Sequence, residues 1–136
     1  MYARLVDQSF ENSKSFPCFF EPVAGANLPK TAFSPDGSIV VTSGTKQIIV
    51  YNADDLSTLK ALDVPNSASA LAFSPDSRIL ACGTYQEVKL WSIPSFSELD
   101  PIKHHQEWVT GLAFSTDGHV IVSGSKELSV TLLSVI

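Results

Sequence analysis

The amino-acid sequence predicts an all-β fold in which one structural unit is repeated three times. The hexapeptide Ala-Phe-Ser-Pro-Asp-Gly at residues 32–37 recurs as Ala-Phe-Ser-Pro-Asp-Ser at 72–77 and as Ala-Phe-Ser-Thr-Asp-Gly at 113–118. A period of about forty residues indicates supersecondary units that stack on one another. No segment shows the i, i+3, i+4, i+7 apolar spacing of an amphipathic helix, so helices are not expected.

Each hexapeptide is predicted to form a turn between two strands. Proline presets φ, aspartate bonds to nearby backbone, and glycine accepts a positive φ. Two stretches rich in Val, Ile and Leu follow each turn, as expected for the next two strands. The first of these strands is predicted at 39–44, 79–83 and 120–124, and the second at 48–52, 88–92 and 130–134.

The strand that runs into each hexapeptide has small residues on one face and large residues on the other. In the second unit Ala70 and Ala72 alternate with Leu71 and Phe73, and the third unit repeats this arrangement. Successive side chains in a strand point to opposite faces. The asymmetry therefore fits strands crowded round a narrow axis, with the large side chains wedged between neighbouring sheets.

With these motifs, residues 24–136 resemble the WD-repeat β-propeller family. The resemblance implies four-stranded antiparallel blades, in repeats at approximately 24–64, 65–105 and 106–136, after an N-terminal strand and linker segment at 1–23. The family's Trp-Asp dipeptide at the end of the third strand is changed in every unit. The three positions hold Tyr51-Asn52, Trp91-Ser92 and Leu133-Ser134.

Many members of this family join a histidine, a strand Ser or Thr, a turn Asp and the strand Trp in one hydrogen-bond network. The resemblance assigns His105, Ser123 and Glu127 to this network in the third unit, where Leu133 replaces the tryptophan. The second unit has Trp91 but no histidine. No unit is therefore expected to hold the complete network.

The repeats are expected to supply two full blades and most of a third, whereas closed propellers have ~4–8 blades. Outer fourth strands are expected near 58–64 and 98–104, and residues 2–6 are a candidate strand. Three arrangements remain open: a piece of a longer propeller, which we favour, two copies paired into a six-bladed ring, and an open arc. An open arc would leave residues 128–136 near an exposed apolar edge, which is an aggregation hazard.

Charge and composition argue against several classes of partner. The net charge is -5, and the nine basic residues are scattered, which disfavours nucleic acid and a polybasic membrane surface. No apolar run reaches the ~20 residues of a membrane-spanning helix. Cys18 and Cys82 lack the spacing of a metal or redox motif, so reduced thiols are expected in a cytoplasmic, or alternatively nuclear, protein.

Catalytic motifs are also missing from the sequence. It has neither a phosphate-binding glycine loop nor a Gly-x-Ser-x-Gly nucleophile elbow. His104 and His105 are adjacent, so on a strand they would point to opposite faces and would not share a metal. The repeated Asp36, Asp76 and Asp117 are interpreted as turn formers. We therefore predict no enzyme, no cofactor and no metal.

The resemblance also implies where partners would bind. In the family they usually dock on loops that enter the inner strands and on turns between the second and third strands. Lys30 is assigned to the first inner strand, where it is expected to face the channel or to extend along the surface. The other candidates are Lys46, Tyr85, Gln86, Glu107, Trp108 and Lys126.

Among these candidates Tyr85 and Trp108 stand out, because aromatic residues at an exposed rim often anchor a partner. A purely structural role for Trp108 is equally consistent with the sequence. The function predicted by analogy is a non-enzymatic scaffold for other proteins or peptides, with self-association through open blade edges as a further expectation. The alternatives are a phosphoinositide-binding propeller, although no Phe-Arg-Arg-Gly motif is present, and a propeller-based enzyme.

Overall fold

A computed structural model describes residues 30–135, which form an open array of three antiparallel sheets without a helix. This confirms the predicted all-β fold of repeated sheets. The strand order follows the chain order in each sheet. The first sheet contains β1 (Thr31–Phe33), β2 (Ile39–Ser43), β3 (Gln47–Asn52) and β4 (Thr58–Asp63). The second contains β5 (Ala70–Phe73), β6 (Ile79–Gly83), β7 (Val88–Ser92) and β8 (Ser97–Glu98), and the third contains β9 (Val109–Phe114), β10 (Val120–Ser125) and β11 (Val130–Ser134).

Several predictions fall on residues outside the described part of the chain. These are the N-terminal strand and linker segment at 1–23, the candidate strand at 2–6, and the thiol of Cys18. They stay predictions.

The hexapeptide turns have the predicted chemistry. In the β1–β2 turn, the Ser34 hydroxyl and the Ser38 amide both donate to Oδ1 of Asp36, at 2.7 and 3.0 Å, and Gly37 has a φ of 74°. The Ser34 hydroxyl, followed by Ser38, lowers the pKa of Asp36 from its ordinary value. Asp36 therefore stabilises the turn as a carboxylate.

Ser77 replaces the turn glycine in the second unit and still adopts a φ of 62°. A non-glycine residue in this region is uncommon. The buried hydroxyl of Ser77 accepts a hydrogen bond from the Asp36 amide at 3.0 Å. Ser77 thus links the turns of the first and second sheets.

The outer strand of the second sheet is shorter than the sequence predicts. Strand β8 covers only Ser97–Glu98, rather than the stretch expected near 98–104. Pro101 has no amide hydrogen and cannot continue the ladder. Pairing resumes at Ile102, which exchanges two backbone hydrogen bonds with Val88, each of 2.9 Å.

The core lies between the sheets and is divided into two apolar clusters. The first joins Val41 and Val50 of the first sheet to Leu80, Cys82 and Trp91 of the second. As predicted, the large inner-strand residues take part, because Leu71 and Phe73 pack against this cluster. The second cluster lies between the second and third sheets and contains Ala81, Val88, Leu90, Val109 and Ile121, with Leu112 and Phe114 packed against it.

Gly83 lies at a close contact between the second and third sheets. A Cβ atom at Gly83 would lie 2.7 Å from Cγ1 of Val109 and 3.2 Å from its carbonyl oxygen. The Ser69 hydroxyl bonds to the carbonyl oxygens of both Gly83 and Val109. Any side chain at position 83 would therefore have to push the third sheet away.

We expect Gly83→Ala to lower the free energy of unfolding by about 1–3 kcal/mol, the usual cost of overpacking. Gly111→Ala is the matched control, because a Cβ atom there would meet nothing within 4 Å. Its stability should stay within about 1 kcal/mol of the wild type, since alanine in a strand is no worse than glycine. Urea unfolding measures both variants, and equal destabilisation would contradict the close contact.

Candidate functional site

Hairpin turns alternate between the two ends of the sheets, so one end collects a distinct set of loops. We call this end the upper rim. It is formed by the turns at 44–46, 84–87 and 126–129 and by the connections between sheets at 64–69 and 99–108. These are the loops that the sequence analysis assigned to partner binding.

Tyr85 and Trp108 form an aromatic pair at the upper rim. Tyr85 comes from the turn of the second sheet and Trp108 from the connection into the third sheet. The two residues form an antiparallel backbone bridge, and their ring centroids are 5.5 Å apart with an interplanar angle of 61°. This edge-to-face geometry is a favourable one for two aromatic rings. Tyr85 is exposed and Trp108 is half-buried, so the pair presents ring surface to solvent.

Backbone hydrogen bonds hold three more candidate residues around this pair. The Gln86 amide donates to the Glu107 carbonyl, and the Lys126 amide donates to the Trp108 carbonyl, both at 3.0 Å. We call these five residues, Tyr85, Gln86, Glu107, Trp108 and Lys126, the rim cluster. The sequence analysis named each of them, and the structure brings them together across the boundary between two sheets.

The two remaining candidates lie on the first sheet, away from the rim cluster. Lys46 is exposed in the turn at 44–46, and its carbonyl accepts a bond from the Val64 amide at 3.0 Å. Lys30 is exposed just before β1, and its amide donates to the Ser43 hydroxyl at 2.7 Å. That Lys30 faces a central channel stays a prediction.

A hydrogen-bond network lies directly beneath the rim cluster. The buried His105 bonds through Nε2 to the Ser123 hydroxyl at 2.8 Å and through Nδ1 to Oε1 of Glu127 at 3.0 Å. These contacts confirm the three residues that the family resemblance assigned. Sequence analysis missed Ser129, whose hydroxyl lies 2.9 Å from Nδ1 and donates to Glu127 at 2.7 Å. The one sequence feature that could have pointed to Ser129 as part of this network is its position two residues after Glu127.

Glu127 connects this network to the rim cluster. Its Oε1 accepts a bond from the Gln106 amide at 3.0 Å, which fixes the backbone just before Glu107 and Trp108. The Ser129 hydroxyl lowers the pKa of Glu127 most, followed by the Gln106 amide and then by His105. The carboxylate therefore stays ionised and holds the connection in place at neutral pH.

The neighbouring histidines have opposite environments. His105 is buried, whereas His104 is exposed. Within residues 30–135, no group of three or more His, Cys, Asp or Glu side chains could hold a metal ion. No helix in this part of the chain is long and apolar enough to cross a membrane.

Cys82 lies in the first apolar cluster and has no disulfide partner among residues 30–135. Burial raises the pKa of its thiol to about 12. Because the thiolate is the nucleophilic form, Cys82 is a core residue and not a reactive one.

Substitution of the buried His105 should destabilise the protein more than substitution of the exposed His104. We expect His105→Ala to lower the free energy of unfolding by about 1–3 kcal/mol, because Ser123 loses its buried partner. His104→Ala is the matched control and should stay within about 0.5 kcal/mol of the wild type. Chemical denaturation of both variants checks this, and comparable losses would mean that the network contributes little.

The lowered pKa of Glu127 predicts a pH dependence. Because the folded-state pKa lies below the ordinary 4.5, the stabilisation by Glu127 is complete above this pH and is lost as pH falls through the folded value. The melting temperature of Glu127→Gln should therefore lie below that of the wild type at pH 6 to 7, and the difference should shrink towards pH 3. Melting curves measured across this range test the prediction, and a gap that widens on acidification would contradict it.

Comparison with known proteins supports the family resemblance seen in the sequence. The model of the family described as "WD domain, G-beta repeat" matches residues 57–92 and 96–132, together more than half of the chain. Topless-related protein 3 of Arabidopsis thaliana is 28% identical over 120 residues, which are 83% of this chain and 11% of that protein. The small ribosomal subunit protein RACK1 of Candida albicans is 31% identical over 102 residues, which are 67% of this chain and 32% of RACK1. The chain therefore spans at most about a third of the length of these two relatives.

A solved structure of U3-55K has a similar fold. It aligns with a TM-score of 0.74 and 24% identity, covering 77% of this chain and 35% of that one. At this identity the likeness concerns the fold alone.

Proposed function

The chain belongs to the WD40 repeat family, and from this we propose that it is a non-enzymatic scaffold whose rim cluster binds other proteins or peptides. Proteins of this family generally act as interaction components. The observation that carries the proposal is the Tyr85–Trp108 pair, which is held at the upper rim across two sheets.

The rim cluster has the composition of a binding hot spot. Tyrosine and tryptophan are enriched at such positions because they offer large apolar faces at little cost in side-chain entropy. Here each ring restrains the other, and the backbone bonds of Gln86 and Lys126 fix the surrounding loops. Such preorganisation reduces the entropy lost on binding.

Polar groups of different kinds surround the aromatic pair. Lys126 and Gln86 are exposed, and Glu107 is half-buried. Together they offer a positive charge, an amide and a negative charge within one cluster. A protein or peptide with an apolar anchor and mixed polar groups would complement this surface better than a uniformly anionic ligand, which the net charge of -5 disfavours.

The names of the relatives support a role in assemblies without defining a partner for this chain. RACK1 of Candida albicans is named as a protein of the small ribosomal subunit. This chain covers only 32% of RACK1, so we propose the docking role of the repeats and not the activity of the whole relative.

Affinity capture from a cell extract, followed by mass spectrometry, tests the rim cluster. We expect Tyr85→Ala to fold normally and to weaken binding of recovered partners at least about tenfold, the usual effect at a hot spot. Arg78→Ala is the control at the opposite end of the same sheet, where Arg78 is exposed in the β5–β6 turn. Melting curves establish that both variants fold. Unchanged affinity in Tyr85→Ala, measured by calorimetry with a purified partner, would refute this docking site.

A further inference from the structure

The Tyr85–Trp108 pair lies on a short ribbon of two antiparallel segments. A backbone hydrogen bond of 3.0 Å on either side of the pair joins the turn at 84–87 to the connection at 99–108. Tyr85 and Trp108 are therefore a non-hydrogen-bonded pair, in which opposite side chains lie closest together. Both rings lie on one face of the ribbon, because directly opposite residues share a face. Two adjoining aromatic surfaces, inclined at 61°, can thus contact one ligand group.

The carboxylate of Glu107 lies beside this pair and has no basic partner. Its Oε2 accepts a hydrogen bond from the Trp108 amide at 3.3 Å, and the residue is half-buried. Within residues 30–135, no lysine, arginine or histidine forms an ion pair with Glu107. The other glutamates of the upper rim each have a basic partner, Lys103 for Glu87 and His105 for Glu127. A carboxylate partly removed from water gains more from a cation than a fully exposed one does.

The second sheet already combines an aromatic ring, a carboxylate and a cation. Nζ of Lys89 lies 5.7 Å from the ring centroid of Trp91 and 2.6 Å from Oε1 of Glu98. One cation there contacts a ring face and a carboxylate at once. The rim cluster has the ring and the carboxylate, but in the described part of the chain no lysine or arginine lies over Tyr85 or Trp108. The missing cation is therefore one that a ligand can supply.

We propose that the rim cluster binds an arginine side chain of a peptide partner, with its guanidinium on the aromatic pair and donating hydrogen bonds to Glu107. Arginine suits this position better than lysine, because its planar group stacks on aromatic rings and donates two parallel hydrogen bonds to a carboxylate. Its aliphatic stem can lie along the apolar ring surface. The net charge of -5 also attracts a basic segment. This inference rests on the proposed docking role of the rim cluster and specifies the chemistry of the partner.

Selection of short peptides tests this chemistry without a known partner. A phage library of random peptides is selected on the full chain, and peptides that the Tyr85→Ala chain also binds are discarded. We expect the remaining peptides to share an arginine. Remaining peptides without an arginine would refute the arginine site and leave the docking role intact. A selection in which the Tyr85→Ala chain binds every peptide would refute both.

Substitutions in a selected peptide separate the charge of the arginine from its shape. Citrulline has nearly the same shape but no charge, and it should weaken binding at least about tenfold, as the loss of charged hydrogen bonds does. Lysine keeps the charge but cannot stack as a plane, so it should also bind more weakly than arginine. Fluorescence anisotropy measures the dissociation constants. A citrulline or lysine peptide that binds as tightly as the arginine peptide would overturn the proposal.

Substitutions in the chain locate the arginine on the rim cluster. Glu107→Gln should weaken the arginine peptide about tenfold and hardly affect the citrulline peptide, because the two substitutions remove the same contact. Asp54→Asn is the matched control, since it removes one negative charge from the exposed β3–β4 turn at the opposite end of the sheets. It should leave both affinities unchanged. Equal weakening of both peptides by Glu107→Gln would show that Glu107 does not contact the arginine, and would overturn the proposal.

Lys126 provides a test of the sign of the ligand charge. It is exposed and its backbone is bonded to that of Trp108, so its ammonium opposes a second cation at the pair. Lys126→Gln should therefore tighten binding of the arginine peptide. Weaker binding by this variant would mean that the cluster prefers an anionic group, which would overturn the arginine site. Melting curves establish that all variants fold.

Discussion

The contact between neighbouring sheets is the interaction on which the rest of this structure depends. Each four-stranded or three-stranded sheet is too thin to bury its own apolar side chains, so it needs another sheet on its face. The repeated inner-strand phenylalanine meets this need, because Phe73 and Phe114 pack against the clusters shared with the preceding sheets. The small residue Gly83 allows the third sheet to approach closely. Core packing and the spacing of the blades are therefore set by the same few positions.

The rim cluster derives its geometry from this contact. Val109 is buried in the second cluster, and its amide donates to the Thr84 carbonyl at 3.0 Å, next to Tyr85. The network of His105 and Glu127 fixes the same connection from below. Tyr85 and Trp108 are thus placed by buried residues of two sheets. Loops supported in this way can be exposed and still keep one shape, which suits binding better than a mobile loop would.

Much of this architecture could be predicted from the sequence, because each of the three units can be compared with the other two. The turn motif and the alternation of small and large residues located the strands, and the family pattern identified His105, Ser123 and Glu127. Departures from the repeat were harder to predict. Pro101 interrupts the outer strand, which shortens β8, and Ser77 takes the place of the turn glycine at a positive φ, with its hydroxyl bonded to another sheet. Such effects depend on contacts between units, which periodicity alone does not contain.

The candidate site, like the fold, could be predicted from the sequence only in part. Each residue of the rim cluster could be named from its place in the repeat, but the pairing of Tyr85 with Trp108 could not, because they are 5.5 Å apart only once two sheets have packed. Lys30 and Lys46, the two candidates of the first unit, lie on the first sheet, away from this pair. Position within a unit predicts the end of the sheet on which a side chain lies. Which of these side chains act together is decided by the contact between units, so the site belongs to the boundary between two repeats and not to either repeat alone.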